Sequence, residues 1–184
     1  ESLKSELLVV PGSSDMKPPA WEFWGKYVGD QNPSFENEKI YFQGLNSTTT
    51  DSPIGFVGRK RLNQTVDRIL KHSHRKIIGT VFFHTSVPTP LSVWRTDLTD
   101  SGDVLSQFAR SQVDLVLNST PSINFNIKIE NSIFSNGGNL YKNHFDPSFL
   151  EILIYKDGLT LLKEHNLAKN EISTIGKYEL NILS

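Results

Sequence analysis

Arg59-Lys60-Arg61-Leu62-Asn63-Gln64-Thr65-Val66-Asp67-Arg68-Ile69-Leu70-Lys71-His72-Ser73, residues 59–73, is the stretch that decides the fold. Leu62, Val66, Ile69 and Leu70 recur at i, i+4, i+7 and i+8, one stripe of a 3.6-residue helix. Asn63, Gln64, Asp67, Arg68 and Lys71 cover the remaining surface, and Lys71 and His72 suit the negative end of the helix dipole. The spacing predicts a helix over 59–73. Burying its four apolar side chains contributes on the order of 6–10 kcal/mol before entropy, so something must cover them.

The flanking sequence offers strands for that cover. Ile123, Phe125, Ile127 and Ile129 alternate with Asn124, Asn126, Lys128 and Glu130, a period of two with one buried face. Val113, Leu115 and Leu117 alternate just before them, across Asn118-Ser119-Thr120-Pro121-Ser122, and the two segments are expected to pair as an antiparallel hairpin. Asp157-Gly158 supplies the positive φ of a second tight turn, with arms at 149–155 and 159–163. Tyr178, Leu180 and Ile182 read as a closing strand. Residues 21–28, 38–43 and 77–84 read as further strands, the last rich in β-branched and aromatic residues. A weaker helix or turn is expected near 103–110 or 165–169. The expected class is mainly β (α+β), with antiparallel sheet wrapped around or packed on one amphipathic helix. The 184 residues fit a single domain, with 1–18 an edge strand plus a flexible lead-in.

Composition removes several functions. The chain has no cysteine, which excludes thiolate zinc sites, iron–sulfur clusters, thiol catalysis and disulfide staples, and fits a protein made inside the cell. Its 19 basic and 20 acidic residues leave a net charge of −1, against the basic excess of a nucleic-acid binder. Arg59-Lys60-Arg61 reads as a solvated helix face. No apolar run reaches the ~20 residues of a membrane helix, and Glu1, Lys4 and Glu6 interrupt any signal peptide around Leu7-Leu8-Val9-Val10. Neither nucleic acid nor membrane insertion is expected.

Motifs for chemistry are equally sparse. G-x-G-x-x-G, G-x-x-x-x-G-K-[ST] and G-x-S-x-G are missing from the sequence. His72 and His74 form an H-x-H pair with His84 ten residues on, yet two ligands do not make a metal site, and a basic helix terminus explains the pair. Asp97, Asp100 and Asp103 read as loop and cap carboxylates rather than a glycosidase pair or a calcium loop. We therefore expect no enzyme, no cofactor and no metal. Aromatic residues say more. Trp21, Phe23 and Trp24 follow Pro18-Pro19, with core packing the first reading for the two tryptophans. Trp94-Arg95 follows Pro88-Thr89-Pro90 in polar, loop-like surroundings. Tryptophan offers a flat apolar face with a polar tip, as sugar rings and protein hot spots require. The candidate ligand-binding residues are Trp94, Arg95, Asp97, Asn118 and Asn124, the last four supplying oriented hydrogen bonds to hydroxyls.

Sequons stand at Asn46, Asn63 and Asn118, and chance accounts for such matches in an Asn/Ser-rich chain. Glu38-Lys39-Ile40-Tyr41-Phe42-Gln43-Gly44 matches the E-x-x-Y-x-Q-G recognition pattern of a potyvirus protease, and the alternation of Ile40 and Phe42 makes it a native strand.

In general plan the chain resembles the sugar-binding head of rotavirus outer-capsid spikes of the group B kind: cysteine-free, β-rich, one helix at 59–73, polar turns carrying aromatics. That resemblance implies sheet around a helix, cell-surface glycans of the N-acetyllactosamine type as ligand, other chains of the same spike as partners, and a virion surface location. It supplies no residue-by-residue match, so the five candidates rest on their chemistry. A carbohydrate-binding attachment domain is the first expectation. The alternative is an intracellular, cytoplasmic protein–protein assembly domain.

Overall fold

The computed structural model describes residues 6–50, 52–72, 76–88, 97–119, 124–138, 140 and 146–180. Along the chain come α1 (Ala20–Tyr27), β1 (Ser34–Glu36), β2 (Ile40–Gly44), α2 (Arg59–His72), β3 (Ile77–Phe82), α3 (Ser101–Arg110), β4 (Leu115–Asn118), β5 (Phe125–Ile129), β6 (Ser132–Asn136), β7 (Ser148–Ile154), β8 (Leu159–Asn166) and β9 (Glu171–Glu179). The class is mainly β with α+β organisation. A six-stranded sheet runs β1-β2-β3-β4-β6-β5, and a second sheet runs β7-β8-β9.

The centre of the larger sheet corrects the antiparallel expectation. β2, β3, β4 and β6 are parallel neighbours, and only β1 and β5 join antiparallel at the edges. The cause is the pair of crossovers: α2 links β2 to β3 and α3 links β3 to β4, and parallel neighbours need such connections. The smaller sheet is antiparallel throughout.

The expected hairpin between 113–117 and 123–130 does not form. β6 lies between those segments, and β5 turns directly into it through Glu130, at φ 53°, and Asn131. Ser132-Ile133-Phe134-Ser135-Asn136 has the composition of a loop, yet every residue is buried. Hydrogen bonding makes that tolerable: Ser132 Oγ donates to the Val113 carbonyl at 2.5 Å and Ser135 Oγ to that of Phe125 at 3.3 Å. The Asp157-Gly158 turn joins β7 to β8 as expected, with Gly158 at φ 89°.

Three layers result. On one face of the larger sheet Ile78, Phe82, Val116 and Phe134 pack with Leu62 and Ile69 of α2 and Val104 and Phe108 of α3. On the other, Ile77, Leu115 and Ile133 meet Leu162 and Leu180, flanked by Leu150, Ile152 and Ile154 of the smaller sheet. Strands covered on both faces lose the alternation that marks half-buried strands. The helical stripe is shifted from expectation: Leu62, Thr65 and Ile69 are buried, and Leu70 is half exposed. Residues 21–28 correct another reading. Residues 21–27 lie in helix α1, which Val28 caps, and among the described residues they pair with no strand. Trp24 alone is buried, so no alternating buried face exists to make a strand of them.

The protease-like stretch is the native strand β2, with Tyr41, Gln43 and Gly44 buried. Incubation with that potyvirus protease should leave the folded chain intact and cut it only after denaturation. Rapid cleavage under native conditions, seen on a gel, would contradict the sheet.

Candidate functional site

An open sheet with parallel strands offers its binding position at the carboxyl ends of those strands. Here each parallel strand runs into short polar residues at that end: Asn46-Ser47-Thr48 after β2, His84-Thr85-Ser86 after β3, Asn118 closing β4 and Asn136 closing β6. All of these side chains are buried.

His84 is the centre of the cluster. Its Nε2 lies 3.2 Å from the Pro53 carbonyl oxygen, which can only accept, so Nε2 carries the proton. Nδ1 then accepts from Ser47 Oγ at 2.9 Å, and the same oxygen accepts the His84 backbone N–H at 3.2 Å. Ser13 Oγ approaches Nε2 at 3.5 Å. Burial pushes the His84 pKa down, against smaller upward pulls from the Pro53 carbonyl, Asp97 and Ser47. A hydroxyl on an imidazole is the first part of a nucleophile–base pair. Here both partners are closed off from solvent, and a carbonyl rather than a carboxylate orients the ring. The pair therefore works as packing.

The cover is the segment 52–58, where residues alternate inward and outward. Gly55 and Val57 are buried, whereas Ile54 and Phe56 project. Gly55 N–H donates to the Asp97 carbonyl at 2.7 Å, Thr99 N–H to the Gly55 carbonyl at 2.9 Å, and Phe56 N–H to the Ser47 carbonyl at 2.9 Å. The Asp100 carboxylate accepts the N–H groups of Val57 at 3.1 Å and Gly58 at 2.7 Å. That is the loop role expected for the aspartate run.

The structure brings three of the candidate residues to this sheet end. Asn118 donates from Nδ2 to the His84 carbonyl at 3.0 Å, and its Oδ1 is buried with no hydrogen-bond partner among the described residues. Asn124, just before β5, donates to Ser148 Oγ at 3.1 Å and to the Glu164 carboxylate. Asp97 pins the cover through its carbonyl. Trp94 and Arg95 lie outside the described residues. Asn46 and Asn118 are buried, which removes two sequons from use in the folded chain, and Asn63 stands exposed on α2. His72 stacks on Tyr41 at 4.2 Å and bonds Glu36 at 2.8 Å, before β3 begins, so it stands at the far end of that strand from His84. Among the described residues no three His, Asp or Glu side chains gather as metal ligands.

Sequence reasoning did not single out the exposed face of α1. Trp24 is its one buried residue, while Trp21 (47%), Phe23 (47%), Tyr27 (71%) and Val28 (51%) stand exposed around it. Phe23 and Tyr27 lie 6.0 Å apart, and Lys26 Nζ sits 5.0 Å over the Tyr27 ring. The signal was present in the sequence: aromatic residues at helical spacing behind Pro18-Pro19.

No protein-family model matches the chain, and no curated protein matches it. Among solved structures it is similar to GAP50, described as the anchor in the inner membrane complex of Plasmodium. The likeness has a TM-score of 0.52 and 14% identity, and covers 83% of this chain and 53% of that one. The chain thus spans about half the length of GAP50. A Vps29 single mutant from Entamoeba histolytica matches at a TM-score of 0.34 and 13% identity, over 65% of this chain and 89% of that one. The likeness to GAP50 is one of fold.

Proposed function

We propose that this chain is a non-catalytic binding domain that docks a protein partner through the aromatic face of α1. The observation that carries the reading is the exposure of Trp21, Phe23, Tyr27 and Val28 around one buried anchor, Trp24. Aromatic side chains are the preferred anchors of protein interfaces, and an amphipathic helix laid in a groove is a recurrent docking mode. The closed, neutral end of the parallel sheet supports binding over catalysis, since its histidine is desolvated and covered. GAP50, whose fold is similar, is named as an anchor, which agrees with this reading.

The test uses a photo-crosslinking residue at Phe23, followed by binding measurements with the purified partner so identified. Replacing Phe23 and Tyr27 together by Ala should weaken that partner by at least ~30-fold, about 2 kcal/mol. The Trp24 anchor keeps the helix in place. An unchanged Kd would end the reading.

A second reading, the glycan-binding attachment domain of a viral spike, is favoured by the half-exposed Trp21 indole, whose flat face could stack on a sugar ring. A glycan array separates the two. Binding there that vanishes with Trp94→Ala or Trp21→Ala, with folding intact, would support the glycan reading. A blank array at high micromolar protein would remove it.

A further inference from the structure

Four strands border the two sheets, and the chain treats their edges differently. β1 has three residues, too few to template another strand. β5 and β9 face each other: Asn126 Nδ2 donates to the Ile175 carbonyl at 2.8 Å, Lys128 Nζ to that of Glu179 at 3.1 Å, and Tyr178 OH to Asn126 Oδ1. β9 is further broken by a bulge opposite Leu162/Lys163. Among the described residues β7 has none of these protections. It is seven residues long, Ser148-Phe149-Leu150-Glu151-Ile152-Leu153-Ile154, without proline, lysine or arginine. Its register with β8 is unbroken, and its one charge, Glu151, is bonded to His165 at 3.0 Å.

The hydrogen-bond phase of that edge can be read out. Tyr155 N–H donates to Leu159 and Leu167 N–H to Pro147, so bonded pairs fall at odd positions of β7. The N–H and C=O groups of Leu150, Ile152 and Ile154 therefore point away from β8. Their side chains flank the core between the sheets and are only partly covered.

A second segment has the matching need. Glu6-Leu7-Leu8-Val9-Val10 has strand composition, and it alternates, with Leu7 and Val9 exposed and Leu8 and Val10 partly covered. It belongs to neither sheet, and its backbone hydrogen-bonds to nothing among the described residues. Among the described residues the apolar run lies in no sheet, the outer edge of β7 pairs with no strand, and no hydrogen bond joins the two.

We propose that two copies of this chain associate by strand exchange, residues 6–10 of each adding to the outer edge of β7 of the other. Main-chain bonds at 150, 152 and 154 would be completed, and Leu8 and Val10 would extend the apolar layer of Leu150, Ile152 and Ile154. The contact is reciprocal, so it closes as a two-fold dimer rather than growing into a fibre. This goes beyond the docking role of α1 and uses a different surface.

Sedimentation of the full chain, from low micromolar to about 0.5 mM, tests it, because a short strand addition gives at most a Kd in that span. The expected result is a concentration-dependent dimer that is lost on removing residues 1–10. It should also be weakened at least ~10-fold by the double substitution Val9→Pro and Val10→Pro, because adjacent N–H groups of a strand point to opposite edges and one of the two must donate to β7 whichever way the added strand runs. Amide exchange at Leu150, Ile152 and Ile154 should slow on dimerisation, while the amides of Phe149, Glu151 and Leu153, already bonded to β8, hardly change. A double substitution of Phe23 and Tyr27 should leave the dimer intact, which separates this result from the α1 reading. A chain monomeric at the highest concentration, or a dimer that survives the truncation or the double proline substitution, would overturn the proposal.

Discussion

Gly55→Ala is expected to destabilise the chain by ~3–5 kcal/mol and to lower its Tm by about 8–15 °C. A Cβ built there would stand 2.4 Å from His84 Nδ1, 2.5 Å from its Cγ and 2.6 Å from the Ser47 carbonyl oxygen. The imidazole cannot swing away, because Ser47 and the Pro53 carbonyl hold its two nitrogens. The Ser47 oxygen cannot yield either, since it accepts the Phe56 N–H within the same cover. Relief must therefore lift the whole segment, breaking its bonds to Asp97, Thr99 and Asp100. Losing buried hydrogen bonds adds to the overpacking cost. Gly25→Ala is the control. Nothing lies within 4 Å of its built Cβ, and it stands inside α1, so alanine should stabilise by ~0.5–1 kcal/mol. Thermal unfolding of both variants decides the matter. An unshifted Tm for Gly55→Ala would mean that the cover is not pressed onto His84.

That cover shows where reading from sequence stops. The apolar period at 59–73 located α2 to within one residue, and Asp157-Gly158 located the second-sheet hairpin, since each depends on local spacing and turn chemistry alone. In the central sheet β2, β3, β4 and β5 were each read as strands, but their parallel order and β6 were illegible for the opposite reason. β6 is a strand only because β4 and β5 enclose it, and no local preference of Ser132, Ser135 or Asn136 announces that. Leu70 gave way to Thr65 on the buried stripe because α3 and the sheet approach α2 from a direction that periodicity alone leaves open. The site was half visible. Asn118 and Asn124 were chosen for their amides and do fall at one end of the sheet. His84 was weighed only as a metal ligand, because its partners Ser47 and Pro53 lie more than thirty residues away. What the sequence does carry is a repeated grammar of apolar strand followed by short polar residues, at 44–48, 82–86 and 115–119. It becomes a signal once those strands are known to be parallel.

Asp114→Asn is expected to stabilise the chain at pH 8 by ~2–3 kcal/mol and to change it little near pH 4. Asp114 stands between the starts of β3 and β6. Its backbone bonds Ile78 and Ile133, and its carboxylate accepts the Ile78 N–H at 2.8 Å. That bond favours the charged form, but burial outweighs it and raises the pKa from 3.8 to about 6. The folded chain therefore binds more protons than the unfolded one between those values. Its contribution to stability is complete below pH 4 and is lost as pH rises through about 6. His84 works in the opposite sense. Its depressed pKa makes the folded chain bind fewer protons than the unfolded one, so its contribution is present above the unfolded value near 6.5 and fades as pH falls below it. The two slopes oppose one another, so the pH profile of the unaltered chain mixes them. The difference between it and Asp114→Asn isolates the carboxylate, because asparagine keeps the acceptor for Ile78 and never ionises. Denaturant unfolding at pH 4, 6 and 8 should show that difference growing with pH and levelling above about 7. A gap that is flat with pH, or asparagine destabilising at pH 8, would mean that water reaches the carboxylate and that burial does not set its charge.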